Sequence, residues 1–177
     1  MKNQALPAAL ENILVSERDP DAIFAALLPA LGALLQCDRC FLYLRSPHTR
    51  IGKVPYCWCR SPEYPDVTSV EWTEEPESLP LEDPLFAAAL RTQESIFVED
   101  VETASPDVVN VAFEQKHFGH KALIHAHLCF DGLLWGVLQP CVFNQPRVWT
   151  DRDRSIVNLV TEKITPLAVA YVKAAKI

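Results

Sequence analysis

Long apolar runs are missing from this sequence. The longest, AIFAALLPALGALLQC from Ala22, covers about 16 residues and is interrupted by Pro29 and Gly32. That is short of the roughly 20 residues a membrane span needs, so the run reads as a buried helix. The opening MKNQALPAALEN lacks the apolar centre of a signal peptide, so a reducing cytoplasm with free thiols is expected for the six cysteines. Glycine is scarce, five in 177 residues, too few to suggest a phosphate-cradling enzyme. No G-x-S-x-G elbow, phosphate loop or H-E-x-x-H helix is present, and Glu114 with His117 at helical spacing reads as a surface pair, so no enzyme is expected. There is no basic stripe either, which disfavours nucleic acid as a partner. Repeats and low-complexity segments are also lacking, and the length fits one domain.

What is present is unevenly distributed. The net charge of −7 is local: residues 61–84 hold eight Asp or Glu and no Lys or Arg, leaving the remainder near neutrality. A solvated loop is the simple reading, and a counter-surface for a basic partner the sharper one. Fourteen prolines punctuate element boundaries. Oxygen-bearing caps beside proline predict helix starts at Asp19-Pro20-Asp21, at Asp83-Pro84 and at Ser105-Pro106-Asp107. Thr150 with Asp153 opens a last helix to about Ala174, and a first helix is expected from Gln4 to Ser16. β-Branched and aromatic runs predict strands at 40–45, 54–60, 67–72 and 95–101. ALIHAHLCF and LLWGVLQPCVF follow, split by Asp131-Gly132, a hairpin signal because both residues tolerate positive φ. Neighbouring strands and a closing hairpin favour an α+β domain with helices on both faces of an antiparallel sheet. Residues 1–17 are read as an N-terminal helix and 18–177 as the domain.

These segments carry a likeness. CDRCFLYLR, DPLFAAALRTQESIFVEDV and GLLWGVLQPCVFNQPRVWTDRDRSIVNLVTEKI together resemble a GAF domain of the type found in phytochromes and cyanobacterial bilin photoreceptors. The resemblance spans about residues 18–175 and rests on Asp38-Arg39, Leu134-Trp135-Gly136, and Pro146-Arg147 with Trp149. It implies a central antiparallel sheet, terminal helices on one face that often pair with a second subunit, and a ligand pocket on the other. It also implies a sensory rather than catalytic role, although a cysteine-based sulfoxide reductase exists within the superfamily. Where bilin-binding relatives carry a Cys-His pair for covalent attachment, this chain has Asn110 and Val111. It has Cys141 and Phe143 where a later His and Cys often stand, and no Asp-x-Pro motif is evident. A covalently held bilin is therefore not expected, and non-covalent tetrapyrrole binding stays open.

The chemistry-bearing residues cluster in two strands. Alternation puts His125, His127 and Cys129 on one face. Such ligands suit zinc, copper or haem iron, with His117 and His120 just upstream, but three on one strand span about 13 Å and do not converge, so no metal or cofactor is expected. Cys57 and Cys59 likewise share a face. Same-face neighbours in an extended strand stand roughly 6.5–7 Å apart, which argues against a disulfide between them and leaves Cys40 as the nearest cross-sheet partner. Thiol-based sensing by Cys57, Cys59 or Cys129 would need a lowered pKa, with Arg39 or Arg60 as the cationic neighbour. The C-x-x-C of Cys37 and Cys40 reads as a helix-to-strand junction.

The expected pocket wall comprises His117, His120, His125, His127 and Trp135, facing a small planar or anionic ligand. If the strand register is reversed, the histidines lie beneath the terminal helices instead. The final helix carries Ile156, Leu159, Val160, Ile164, Leu167 and Tyr171 as a stripe, which packs on its own sheet or, with the first helix, joins a homodimer. With Ile177 ending the chain, a signal would leave by subunit rearrangement or by binding a signalling partner. The competing readings are a redox or metal/haem sensor or a sulfoxide reductase using Cys57, Cys59 or Cys129, and a ligand-free interaction scaffold that presents the acidic 61–84 segment to a partner.

Overall fold

The computed structural model describes residues 5–177. Helix α1 (Ala8–Ser16) and α2 (Pro20–Leu35) precede strands β1 (Arg39–Ser46), β2 (Ile51–Cys59) and β3 (Ser69–Glu74). Two short helices follow, α3 (Leu79–Glu82) and α4 (Pro84–Leu90), then β4 (Ile96–Val98) and α5 (Val111–His117). The hairpin β5 (Ala122–Phe130) and β6 (Leu133–Val142) leads to α6 (Asp151–Ala174). The strands form one antiparallel sheet ordered β3-β2-β1-β6-β5-β4.

Local chemistry sets most of these boundaries. Asp19 and Asp83 cap α2 and α4, each accepting a backbone N–H with proline at the first turn. Thr150 and Asp153 form a reciprocal capping box at α6. Asp131 and Gly132 both have positive φ, the requirement of the tight β5–β6 turn.

Three expectations need correction. Ser105-Pro106-Asp107 opens a turn, not a helix; α5 begins only at Val111, because Asn110 takes the capping role with its side chain accepting from Phe113 N. The strand expected at 95–101 is paired only over Ile96–Val98. The acidic segment is not simply a solvated loop: it supplies β3 and α3 and sends Glu75 and Asp83 into the interior. The first helix starts at Ala8, and Gln4, where it was expected, lies outside the described residues.

Alternation divides the core in two. Cys40, Leu42 and Leu44 of β1 and Ile124, Ala126 and Leu128 of β5 face α2 and α6, meeting Leu27, Leu31, Val160 and Ile164. Each Leu, Ile or Val side chain among these contributes about 1.5–3 kcal/mol on full burial. Leu10 brings α1 into the same core, and of the α6 stripe Ile156, Val160 and Ile164 are buried while Leu159, Leu167 and Tyr171 remain partly exposed. The other face meets α3, α4, α5 and the 99–110 connection through Leu123, Val137, Cys141, Phe86 and Val109.

Candidate functional site

On β1, the period of two that sends Leu42 to the helices sends Arg39, Phe41, Tyr43 and Arg45 to the opposite face. There Phe41 and Tyr43 join Phe86 of α4, Phe113 of α5 and Phe118 around a cavity of about 300 Å³. Its polar lining comes from Lys53, Glu75, Asp83, Glu114, His125 and Gln139, with Ser69 and Thr73 at the β3 side.

Two ionic groups brace the walls. Arg45 grips Glu75 through Nε (2.6 Å) and Nη2 (2.8 Å), Tyr43 donates to the same carboxylate at 2.5 Å, and Arg45 Nη1 donates to the Leu134 carbonyl. On the opposite wall His120 Nε2 meets Glu114 at 2.5 Å, both side chains buried. Burial works against a charge on His120, but the Cys141 thiol and Glu114 outweigh it and raise its pKa to about 9. Burial, and then Glu114, push Asp83 up to about 6.

His125 and His127 meet edge to face on this side of β5, with His125 in the cavity lining and His127 outside it. His125 Nδ1 lies 2.9 Å from His127 Nε2, and His127 Nδ1 lies 2.7 Å from the Gln93 carbonyl. Burial foremost, with His127 and His120 adding to it, holds the His125 pKa well below the usual imidazole value; burial lowers that of His127 as well.

Not every expected wall residue arrives. His117 is exposed and packs its ring on Phe113, outside the cavity lining. His120 stands behind Glu114 rather than in the wall. Trp135 faces the terminal helices, with Lys173 Nζ 5.5 Å from its ring centre. The reason is a bulge: between the Leu128–Gly136 and Cys129–Leu134 pairs the register slips by one, leaving Trp135 as the extra residue and reversing its face.

The cysteines are all free thiols. Cys57 and Cys59 do share a face, and their sulfurs approach to 3.9 Å. Cys40 is not their cross-sheet partner, because it pairs with Trp58 and points at the terminal helices; Cys59 stands opposite Arg39 and Cys57 opposite Phe41. Burial raises the Cys57 pKa to about 12 and also raises those of Cys59 and Cys129, the reverse of what an activated thiolate needs. Arg39 is fully buried between Phe41 and Phe143 (5.4 and 4.8 Å to the ring centres). Its Nη1 donates to the Pro65 carbonyl, while Nε and Nη2 have no partner among the described residues. Among those residues no three His, Cys, Asp or Glu side chains converge as a metal site, and no helix is long and apolar enough to cross a membrane.

A sheet with terminal helices on one face and an aromatic cavity under short connecting helices on the other defines an α+β layered domain of the kind built as sensory regulatory modules. The sequence matches the GAF domain family over residues 19–165, and the chain belongs to that family. No curated protein matches it. Among solved structures it is similar to the phycoerythrobilin-bound GAF domain of a cyanobacterial phytochrome (TM-score 0.71, 17% identity, 94% of this chain and 96% of that one). A phycocyanobilin-bound GAF domain of a cyanobacterial phytochrome gives 0.70 and 19%, with 96% of both chains covered. The GAF domain of an Acinetobacter phosphoenolpyruvate-protein phosphotransferase gives 0.69 and 12%, again with 96% of both. At such identities the likeness is one of fold.

Proposed function

We propose that this chain is a non-catalytic sensory module that binds a small molecule in the cavity between its sheet and helices α3–α5. The cavity carries the reading: apolar and aromatic walls with a few fixed polar groups are the make-up of a small-molecule site, and about 300 Å³ lies at the compact end of such sites. The bilins held by two of its structural neighbours support a planar occupant, a non-covalent tetrapyrrole or something smaller. Asn110 supports the non-covalent form, since it caps α5 and donates Nδ2 to the Glu82 carbonyl. In this reading a cytoplasmic homodimer, paired through α1 and α6, relays occupancy of the cavity to a signalling partner.

Absorption spectroscopy and native mass spectrometry of the purified chain test it together. A bound mass or a visible band that disappears on a Val137→Trp substitution, which fills the cavity, is the expected result. Retention of the same mass and spectrum in a folded Val137→Trp variant would place the ligand elsewhere and sink the reading.

A further inference from the structure

The two histidines of β5 settle one another's protons. The Gln93 carbonyl can only accept, so His127 Nδ1, 2.7 Å away, must carry a hydrogen. A neutral His127 then has a lone pair at Nε2, and the hydrogen bond at 2.9 Å requires His125 Nδ1 to be the donor. The remaining nitrogen of His125, Nε2, is left without a hydrogen. It has no hydrogen-bond partner among the described residues, and His125 lines the cavity. The opposite tautomer of His125 would need a doubly protonated His127 buried beside a second imidazole, which the lowered pKa of both rings opposes.

The rest of the wall is mixed: Lys53 and Gln139 can donate, and the Glu75 and Glu114 carboxylates are already held by Arg45 and His120. Glu75, Asp83 and Glu114 present carboxyl groups, and Lys53 is the single cationic side chain in the lining. A ligand offering only acceptors would leave Nε2 desolvated and unpaired.

We propose that the cavity selects flat aromatic ligands carrying an N–H or O–H donor, which it reads through the bare Nε2 of His125, held in that state by the His127–Gln93 relay. This deepens, and rests on, the reading of the cavity as a ligand site. The relay also makes the selectivity invertible. With His127 replaced by a residue that cannot accept, His125 is free to move its hydrogen to Nε2 and present a donor in place of an acceptor.

Three probes of matched size separate the cases: indole, which donates; 1-methylindole, which cannot; and quinoline, which accepts. Their binding to the whole chain is followed by nitrogen NMR of labelled histidine, with calorimetry for affinity. In the free protein His125 Nε2 should show the shift of an unprotonated ring nitrogen and Nδ1 that of a protonated one. Indole should move the Nε2 signal and bind at least about tenfold more tightly than 1-methylindole or quinoline, the discrimination a buried unpaired acceptor provides. In His127→Leu, quinoline should overtake indole; His125→Phe, which keeps a ring in place, should abolish the preference while retaining apolar binding. A protonated Nε2 in the free protein overturns the proposal and leaves the cavity reading intact. Equal binding of the three probes with Nε2 bare also overturns it. If no probe moves any cavity resonance, both the proposal and the cavity's role as a binding site fall.

Discussion

Arg45 and Glu75, thirty residues apart in the chain, meet in a bidentate pair buried on both sides, with side-chain exposures of 4% and 7%. The pair fastens the segment after β3 to the end of β1, and so holds one rim of the cavity. A buried pair costs most when only one partner is removed, since the other charge is left without compensation. Glu75→Leu or Arg45→Met alone should therefore destabilise the fold by about 3–5 kcal/mol. The double substitution should recover most of that loss, a non-additivity that urea unfolding of the four variants measures directly.

The cavity also predicts a pH dependence. In the folded chain His120 keeps its proton to about pH 9, whereas the unfolded chain releases it near the ordinary 6.5. The stability it contributes is complete below pH 6.5 and is lost as pH rises through 9. Asp83 acts in the same direction lower down: its folded pKa of about 6 exceeds the ordinary 3.8, so stability declines as pH rises between those values and the buried carboxyl ionises. Unfolding curves from pH 4 to 9 should show the slope between 6.5 and 9 flattened in His120→Gln and that between 4 and 6 flattened in Asp83→Asn. An unchanged slope in either variant contradicts the corresponding assignment.

Gly136 gives a steric prediction. A Cβ there would lie 2.5 Å from the Tyr43 carbonyl oxygen, a backbone atom of the adjacent strand that cannot step aside. Gly136→Ala should separate β1 from β6 locally and lower stability by about 1–3 kcal/mol, the usual cost of overpacking. Gly132→Ala, with open space around the added methyl group, should be penalised only for its positive φ and so cost less. Thermal unfolding of the two variants side by side ranks them.

Thiol accessibility should split the six cysteines. Cys37, Cys40 and Cys141 are buried, whereas Cys57, Cys59 and Cys129 are partly exposed. Iodoacetamide at pH 7 should label the partly exposed set slowly, because their pKa values are raised, and the buried set only in denaturant. Rapid labelling of Cys57 or Cys59 in the native protein, read by peptide mass spectrometry, would restore a thiol-sensing role.

Much of this architecture was legible because its signals are local. Caps, the Asp131-Gly132 turn and two-residue alternation act within a few residues of themselves. The recognisable motifs turn out to be joints: Asp38 accepts from Phe143 N, Trp149 Nε1 donates to the Val98 carbonyl, and the Leu134 carbonyl receives Arg45. The same alternation applied to β1 would have found Phe41 and Tyr43, which sequence reasoning passed over in favour of polar residues. Trp135 could not have been placed that way, since a single extra residue in β6 undoes the alternation and nothing in LLWGV marks it. Nor could Glu75 be told from its acidic neighbours, because its burial is set by Arg45, thirty residues away; Asp83 stood out only as the cap of α4.

The strand order has a consequence for synthesis. β1 lies at the middle of the sheet, yet its second partner, β6, leaves the ribosome about a hundred residues later, since Arg39 pairs with Cys141. Until then β1 presents an open edge, and the apolar surface of α2 waits for α6. A nascent chain halted before Val142 would expose both at once, a state prone to wrong pairing. The closing hairpin and the final helix therefore act late and together, and C-terminal truncation should yield insoluble protein rather than a smaller folded unit.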